Sequence, residues 1–570
     1  MKKAKGNKLY ILALFGLSLF FALTIFLDSM IVYQGGIFST IADCHFEALG
    51  LKNIALLLIT WLVAFVVLAI LGHIYEIVSR TDKQEEPNCE VVHRTGKQEE
   101  KKSERNPIRR RERPFLHKIT SGKVFFFSVF LILLVCWLPY VLSYFPGGIF
   151  ADTISSIWQG TRKAGFSNHS PILYAILLGI VIYPVNNLQL GVELFTVLQI
   201  LVMDLVLSYG VYWIYKKKVR RIFLVFSILF FALFPLIPFY SISLWKDVPF
   251  CLALFLYMLF IAETVYEKGK NLERGKGVLC AALLLFLVNF TRNNGVYITT
   301  LTTLVLLIRY RKQVFSAMKA FSIVSILVML LSFLIQGPIY GQLHWNVDKS
   351  TESLGVPLQQ VCYVIATGGN ISTEQAEFVH SIYPIEAIKE TYNPCIVDPI
   401  KWAPEFNEAF LENHRDAFLE TWFQMFFHNQ KAYVEAWLLN TMGFWDVTKA
   451  DDAGYINPRM WQNADETMGV HQKDYVEQMF GVSIRKQITP EKYISSAVFL
   501  FVLLVGMLMT IKRKKYDNLL IYLPALATWL TIMIAAPLAF SLRYVYILVL
   551  MVPFSLLLPL VPLVEKEEEK

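Results

Sequence analysis

Charge is scarce in this chain. Only 17% of its 570 residues are Asp, Glu, Lys or Arg, against roughly 25% in an ordinary soluble domain. With 55% hydrophobic residues and a mean hydropathy of +0.48, that shortage excludes a soluble globular protein. Cysteine is sparse too, at seven residues. None lies in CxxC spacing and no His-rich tract accompanies them, which excludes a structural zinc module. Cys136, Cys251 and Cys280 sit in apolar runs, where a cysteine is a small buried hydrophobe. Cys362 and Cys395 share a polar stretch and could pair in an oxidising compartment. No internal repeat is visible, and Asp204 stands out among few ionisable groups within the apolar runs. Both absences count against a transporter or flippase.

What is present is a series of apolar runs. A helix crossing a bilayer needs about 20 mostly apolar residues, because every backbone polar group in hydrocarbon must be satisfied within its own helix. Such runs cover Tyr10 to Leu27, Asn53 to Leu71, Val124 to Tyr144, Val192 to Tyr215, Ile222 to Tyr240 and Val248 to Val265. They continue with Val278 to Phe290, Val296 to Ile308, Ala320 to Ile335, Ile494 to Ile511, Leu519 to Ala535 and Tyr544 to Val564. The expected fold is an all-α polytopic membrane protein of about 12 transmembrane helices, with juxtamembrane outer-face helices and a mainly helical extracytoplasmic domain. The first run follows Lys2, Lys3, Lys5 and Lys8 like a signal peptide but lacks a clear small-residue cleavage site, so it reads as a retained anchor.

A further apolar run, Pro171 to Pro184, is short for a span. If it lies on or dips into the outer leaflet, Lys216-Lys217-Lys218, Arg309 with Arg311-Lys312, and Lys512-Arg513-Lys514-Lys515 all fall on the cytoplasmic side with the N-terminal lysines. If it spans, they move outside. The first arrangement places both termini in the cytoplasm of a multi-pass plasma-membrane protein. It divides the chain into a two-helix segment (1–72), a charged cytoplasmic linker (73–123), a membrane core (124–336) with an outer loop at 145–191, an extracytoplasmic domain (337–493) and C-terminal helices (494–570). The linker's mixed charge and low apolar content predict disorder. The net charge of +8 is accounted for by cytoplasmic anchoring residues and calls for no nucleic-acid partner.

The outer loops carry the chemistry. After Pro146-Gly147-Gly148, Asp152 opens a helical pattern with Ser155, Ser156 and Gln159 on one side and Ile154, Ile157 and Trp158 on the other. That pattern describes a surface helix with an acid on its polar face; an ordinary interfacial helix has the same appearance. His169-Ser170-Pro171 closes the loop. A second loop holds Lys246 and Asp247, which read first as a solvated ion pair. A third, Thr291 to Gly295, holds Arg292 and Asn294, and the last holds Arg543-Tyr544. Basic residues are unexpected on an outer face. Lys246, Arg292 and Arg543 beside an acid point to capture of a phosphate.

In these residues the chain resembles the GT-C superfamily of membrane glycosyltransferases, such as protein O-mannosyltransferases and aminoarabinose transferases, and more particularly an uncharacterised bacterial branch of it. Asp152 occupies the place of the essential first-loop acid, His169-Ser170-Pro171 that of a His-Pro segment, and Arg543-Tyr544 that of a late Arg-Tyr. The chain departs in having one first-loop acid instead of a pair, Ser170 within the His-Pro segment, and a large domain between spans. The resemblance implies an inverting hexosyltransferase acting on a polyprenyl-phosphate-linked sugar at the outer membrane face. The acceptor would be an extracytoplasmic glycan, lipid or protein. Asp152 would be the catalytic base, Arg543, Arg292 and Lys246 would hold the donor phosphate, and Asp247, His169, Gln159, Tyr544 and Asn294 would support them or the acceptor. A divalent metal on Asp152 or Asp247 is left open by the resemblance.

The outer stretch contains helical segments over Pro404 to His414 and Asp416 to Trp437, the second rich in aromatics that build cores as readily as they bind sugars. A surface-polysaccharide polymerase or ligase remains an alternative, and would depend on His414, Arg415 or His428 instead of Asp152.

Overall fold

The computed structural model describes residues 2–34, 36, 39–84, 122–168, 170–314, 317–345, 353–449, 467–487, 494–535 and 538–561. His169 and the arginine-rich end of the linker lie outside them. The described residues are 75% helical, and the protein is a helical membrane protein. Among the described residues seven helices are long and apolar enough to cross a membrane, or up to eight if one bent pair counts as a single span.

Two helices, α1 (Lys2–Asp28) and α2 (Leu51–Gln84), form a hairpin whose connection carries an antiparallel ribbon of β1 (Ile31–Tyr33) and β2 (Cys44–Phe46). The helix α2 continues past His73, where a disordered linker is expected from the sequence. The core follows as α3 (Gly122–Ser143), α4 (Ala151–Gly160), α5 (Ile172–Ile182), α6 (Leu188–Lys216), α7 (Arg221–Leu233), α8 (Leu236–Ile242), α9 (Asp247–Tyr266), α10 (Gly275–Thr291), α11 (Gly295–Arg309) and α12 (Lys319–Leu334). The longer helices of the polar stretch that follows are α13 (Gly355–Ala366), α14 (Thr373–Ile382), α15 (Arg415–Phe426) and α16 (Gln430–Thr441). The chain then re-enters the bundle through α17 (Ser496–Lys512), α18 (Leu519–Ile534), α19 (Tyr546–Leu550) and α20 (Val552–Leu557).

Burial separates the centre from the periphery. Within its apolar window α9 is 78% buried while α2 is 11% buried. Exposed Leu51, Leu58 and Leu62 on α2 form a face suited to hydrocarbon. Leu14, Leu68, Leu508 and Met509 fasten the first hairpin to α17.

Several apolar runs are not straight spans. Ile222 to Tyr240 breaks between α7 and α8 with a 48° bend. The cause is Pro235, which lacks an N–H and forces the preceding Phe234 into an extended conformation. The last run, Tyr544 to Val564, is cut into short buried segments by Pro553, and its Ser555 carbonyl lies where a Cβ on Gly506 would be, 2.3 Å away. α10, α11 and α17 are short, at 17, 15 and 17 residues. At the proposed boundary of the outer domain the chain stays helical, α12 running on as a π turn over Ile335–Ile339. The segment Asp416 to Trp437 is two helices. Asn429 breaks it by donating to the Met425 and Asn370 carbonyls (2.9 and 2.7 Å) and accepting from the Asn370 amide (2.8 Å).

The expected cytoplasmic charges gather at one end of the bundle. Lys217 pairs with Glu263 at 3.1 Å, and Arg309 grips Asp517 through two contacts of 2.8 and 2.6 Å. The loops holding Asp152, Asp247, Arg292 and Arg543 meet at the opposite end, since Lys217 and residue 188 stand at the two ends of α6, about 40 Å apart at 1.5 Å per residue. Cys395 lies against Cys44, with their sulfurs 3.7 Å apart, and makes no sulfur contact with Cys362. The sequence leaves the pairing of Cys362 with Cys395 open, and the sulfur beside Cys395 is that of Cys44.

Candidate functional site

The site begins with backbone. Gly147 has φ +135°, and a Cβ there would come within 2.3 Å of Thr196 Oγ1, so only glycine fits. Gly148 then runs beside Ser243, its amide donating to Ile242 O (2.6 Å) and its carbonyl accepting from Leu244 N (2.8 Å). Gln199 on α6 fixes the second loop by donating to the Ser241 and Ser243 carbonyls (2.9 and 2.8 Å). Thr153 adds a hydrogen bond to Leu244 O at 2.5 Å. The loop bearing Asp152 and the loop bearing Lys246 are thus one unit.

Asp152 stands in the first turn of α4, where the helix dipole favours a carboxylate. Its Oδ2 lies 3.3 Å from Arg543 Nη1 and 3.7 Å from Lys246 Nζ. Lys246 Nζ also donates to Ser170 Oγ at 3.2 Å. Arg543 donates to the Tyr544 hydroxyl (3.0 Å), and its guanidinium faces the Trp245 and Tyr544 rings at 5.2 and 4.9 Å. Trp245 in turn stacks on Phe150 at 3.7 Å between centroids. Burial acts to lower the Arg543 pKa, but the Tyr544 phenol and the Asp152 and Asp247 carboxylates outweigh it, holding the group well above its ordinary value.

Asp247 pairs with Arg292, not with Lys246. Its Oδ1 is 2.5 Å from Arg292 Nη1, a charge contact without hydrogen-bond alignment, with Asp247 buried and Arg292 nearly so. Arg292 also donates to the Tyr544 carbonyl at 3.4 Å and lies over the Tyr544 ring at 4.9 Å. Tyr544 therefore separates two ion-pair centres, one semi-exposed around Asp152 and one sealed around Asp247. Helix packing decides this: Lys246 precedes Asp247 in sequence, but α9 turns the carboxylate inward while the ammonium faces α4.

Two other candidates have structural partners. Gln159 is buried, donating to Ser155 Oγ (3.2 Å) and accepting from Ser167 N (3.1 Å), so it folds the loop instead of lining a polar surface with Asp152. Ser156 on the same supposed polar face is also buried. Asn294 donates to Thr531 Oγ1 at 2.9 Å and ties α11 to α18. Trp245, Ser170 and Asn293 were assigned no role from sequence. Asn293 donates to Asn168 O at 3.1 Å and joins the third loop to the first. The only sequence signal for Trp245 was its place beside Lys246 in a tight loop.

α5 packs directly on α4 through glycine, since a Cβ on Gly160 would lie 2.2 Å from Ala175 O and one on Gly179 would lie 2.4 Å from Gly160 O. The segment 467–487 closes over the same loop. Lys473 N donates to Phe145 O (2.9 Å), Gln472 to Gly147 O (3.2 Å), and Arg485 to Ser143 O. Two cavities lie nearby or beyond: a cleft of about 780 Å³ lined by Gln159, Arg162, Lys163, Phe166, His344 and Trp345, and an apolar pocket of about 330 Å³ between α13, α15 and α16. Neither is lined by Asp152, Lys246 or Arg543.

Among the described residues no group of three or more His, Cys, Asp or Glu side chains gathers, and both candidate carboxylates face cations. The arrangement can instead hold an anion and accept a proton.

The fold and its ionic cluster define a helical membrane protein with a charged site at one end of the bundle. The chain belongs to a family of unknown function, DUF6020, which matches residues 157–569. No curated protein and no solved structure matches it. Lys246, Asp247, Arg292 and Arg543 fall within the matched region, and Asp152 just before it.

Proposed function

We propose that this protein is an inverting membrane glycosyltransferase of the GT-C type, transferring a sugar from a polyprenyl-phosphate donor to an extracytoplasmic glycan, lipid or protein. The supporting observation is the convergence of Asp152 with Arg543 and Lys246 from three loops far apart in sequence. In this reading about 12 apolar segments are embedded in the plasma membrane with both termini cytoplasmic, and the site faces outward.

In the free protein the two cations hold the carboxylate. A donor phosphate entering between Arg543 and Lys246 takes its place and frees the Asp152 carboxylate to face the acceptor. The acceptor hydroxyl then attacks the anomeric carbon as Asp152 takes its proton, the C–O bond to phosphate breaks, and the phosphate leaves with its charge already met by Arg543 and Lys246. Arg292, already committed to Asp247, positions Tyr544 and through it Arg543.

The test compares envelope glycans and polyprenyl-linked sugars by mass spectrometry in cells with wild-type protein, Asp152→Asn, or a His414/Arg415/His428 triple alanine variant. Loss of one glycan modification with build-up of one lipid-linked sugar in Asp152→Asn alone supports the reading. The same loss only in the triple variant, whose residues are exposed on the outer stretch, favours a polysaccharide polymerase or ligase.

A further inference from the structure

Cys44 and Cys395 are 351 residues apart and both fully buried, yet their sulfurs are in van der Waals contact at 3.7 Å. Their backbones are held independently. Cys44 is the last ribbon pair, opposite Tyr33, and its amide donates to Thr40 O at 2.9 Å. The Cys395 amide donates to Asn393 Oδ1 at 2.8 Å, and its carbonyl accepts from Ala539 N at 2.6 Å. Ile396 bridges Leu538, so this strand-like contact is the backbone that leads four residues later to Arg543. The ribbon already rests on that segment through Tyr33 against Phe540, with centroids 5.5 Å apart, and Lys449 pairs with Asp28 at 2.7 Å.

We propose that Cys44 and Cys395 form a disulfide that ties the N-terminal hairpin covalently to the outer domain and to the loop carrying Arg543. A disulfide needs the sulfurs to close from 3.7 Å to roughly 2 Å, and a pair on the outer side of a membrane meets an oxidising compartment. The inference rests on the outward placement of this end given above. The step is thiol–disulfide exchange with a protein disulfide oxidant: one thiolate attacks the oxidant's disulfide, the second displaces it from the mixed disulfide, and two protons and two electrons leave the cysteines as the oxidant's pair is reduced. The hairpin, which lies outside the region matched by the family, thereby becomes a fixed part of the site's frame.

A protease recognition sequence inserted after Ser103 tests this on the full-length protein in membranes. After cleavage, a non-reducing denaturing gel keeps the hairpin fragment with the remainder as one band, and dithiothreitol releases two. Cys44→Ser and Cys395→Ser each give two bands without reductant, while Cys362→Ser gives one. Two bands from the otherwise native chain without reductant, or a linkage lost in Cys362→Ser and kept in Cys44→Ser, overturn the proposal. Exposed Lys389, changed to Cys in a separate variant, reports the side of the membrane through an impermeant maleimide on intact cells. No labelling there removes the outward placement and the disulfide with it. Labelling together with two bands removes the disulfide alone.

Discussion

Replacing Asp152 by Asn separates chemistry from stability, and the neighbouring Asp247 supplies the contrast. The Asp152 side chain is 30% exposed and its two cations stand at 3.3 and 3.7 Å. Arg543 and Lys246 are only 10% and 15% exposed, but the solvated Asp152 carboxylate keeps each pair to about 1 kcal/mol, and Arg543 keeps Tyr544 as a partner. Asp152→Asn should therefore fold, express and melt within a few degrees of wild type. Loss of a positioned base costs roughly 10²- to 10⁴-fold in rate, so sugar transfer, read as the ratio of modified glycan to accumulated lipid-linked sugar, should fall by at least about 100-fold. Asp247 is 1% exposed and its partner Arg292 is 11% exposed. Removing one member of such a buried pair costs about 3–5 kcal/mol by leaving the other charge uncompensated. Asp247→Asn should thus lower the melting temperature and the yield before any kinetic effect is read. Transfer by Asp152→Asn within a few-fold of wild type would refute the assignment of the base. A stable, well-expressed Asp247→Asn would refute the division between a working and a sealed pair.

Arg543→Lys keeps the charge but loses the fork that reaches Asp152 and the Tyr544 hydroxyl together; transfer at limiting donor should drop about 10-fold or more, an effect of about 1.4 kcal/mol, and recover in part at high donor concentration. Gly160→Ala drives a methyl into the Ala175 carbonyl; the cost should be about 1–3 kcal/mol, seen as a lower melting temperature with reduced transfer. Burial, with Asp28 adding to it, pushes the Asp446 pKa up to about 7. A raised carboxyl contributes stability that is fully present below its unfolded pKa and lost as pH rises toward the folded value. The melting temperature should therefore fall between about pH 4 and 7, and Asp446→Asn should flatten that slope in a thermal scan.

The class of protein was legible because hydropathy is local: each apolar run declares itself within about 20 residues whatever surrounds it. The residues of the converging loops were legible for the same reason, as charged groups in short connections between apolar runs. The straightness of the runs was less so. Pro235 and Pro553 were visible, but whether a proline bends a helix or ends it depends on the neighbours that re-satisfy the freed backbone groups. Gln159 and Ser156 fit an amphipathic pattern that says nothing of what later packs on that face, and the loop 161–168 covers it.

By itself the sequence determined that the chain lives in a membrane as helices and that acids and cations cluster at one set of loops. Only the tertiary structure decided which cation meets which acid. Asp152 reaches Arg543 across 391 residues, while Asp247 ignores the adjacent Lys246 for Arg292. Cys395 likewise turns from Cys362 to Cys44. The physical reason is common to all three: direction and distance between side chains come from how helices cross and which face each turns inward, and no local pattern carries that information.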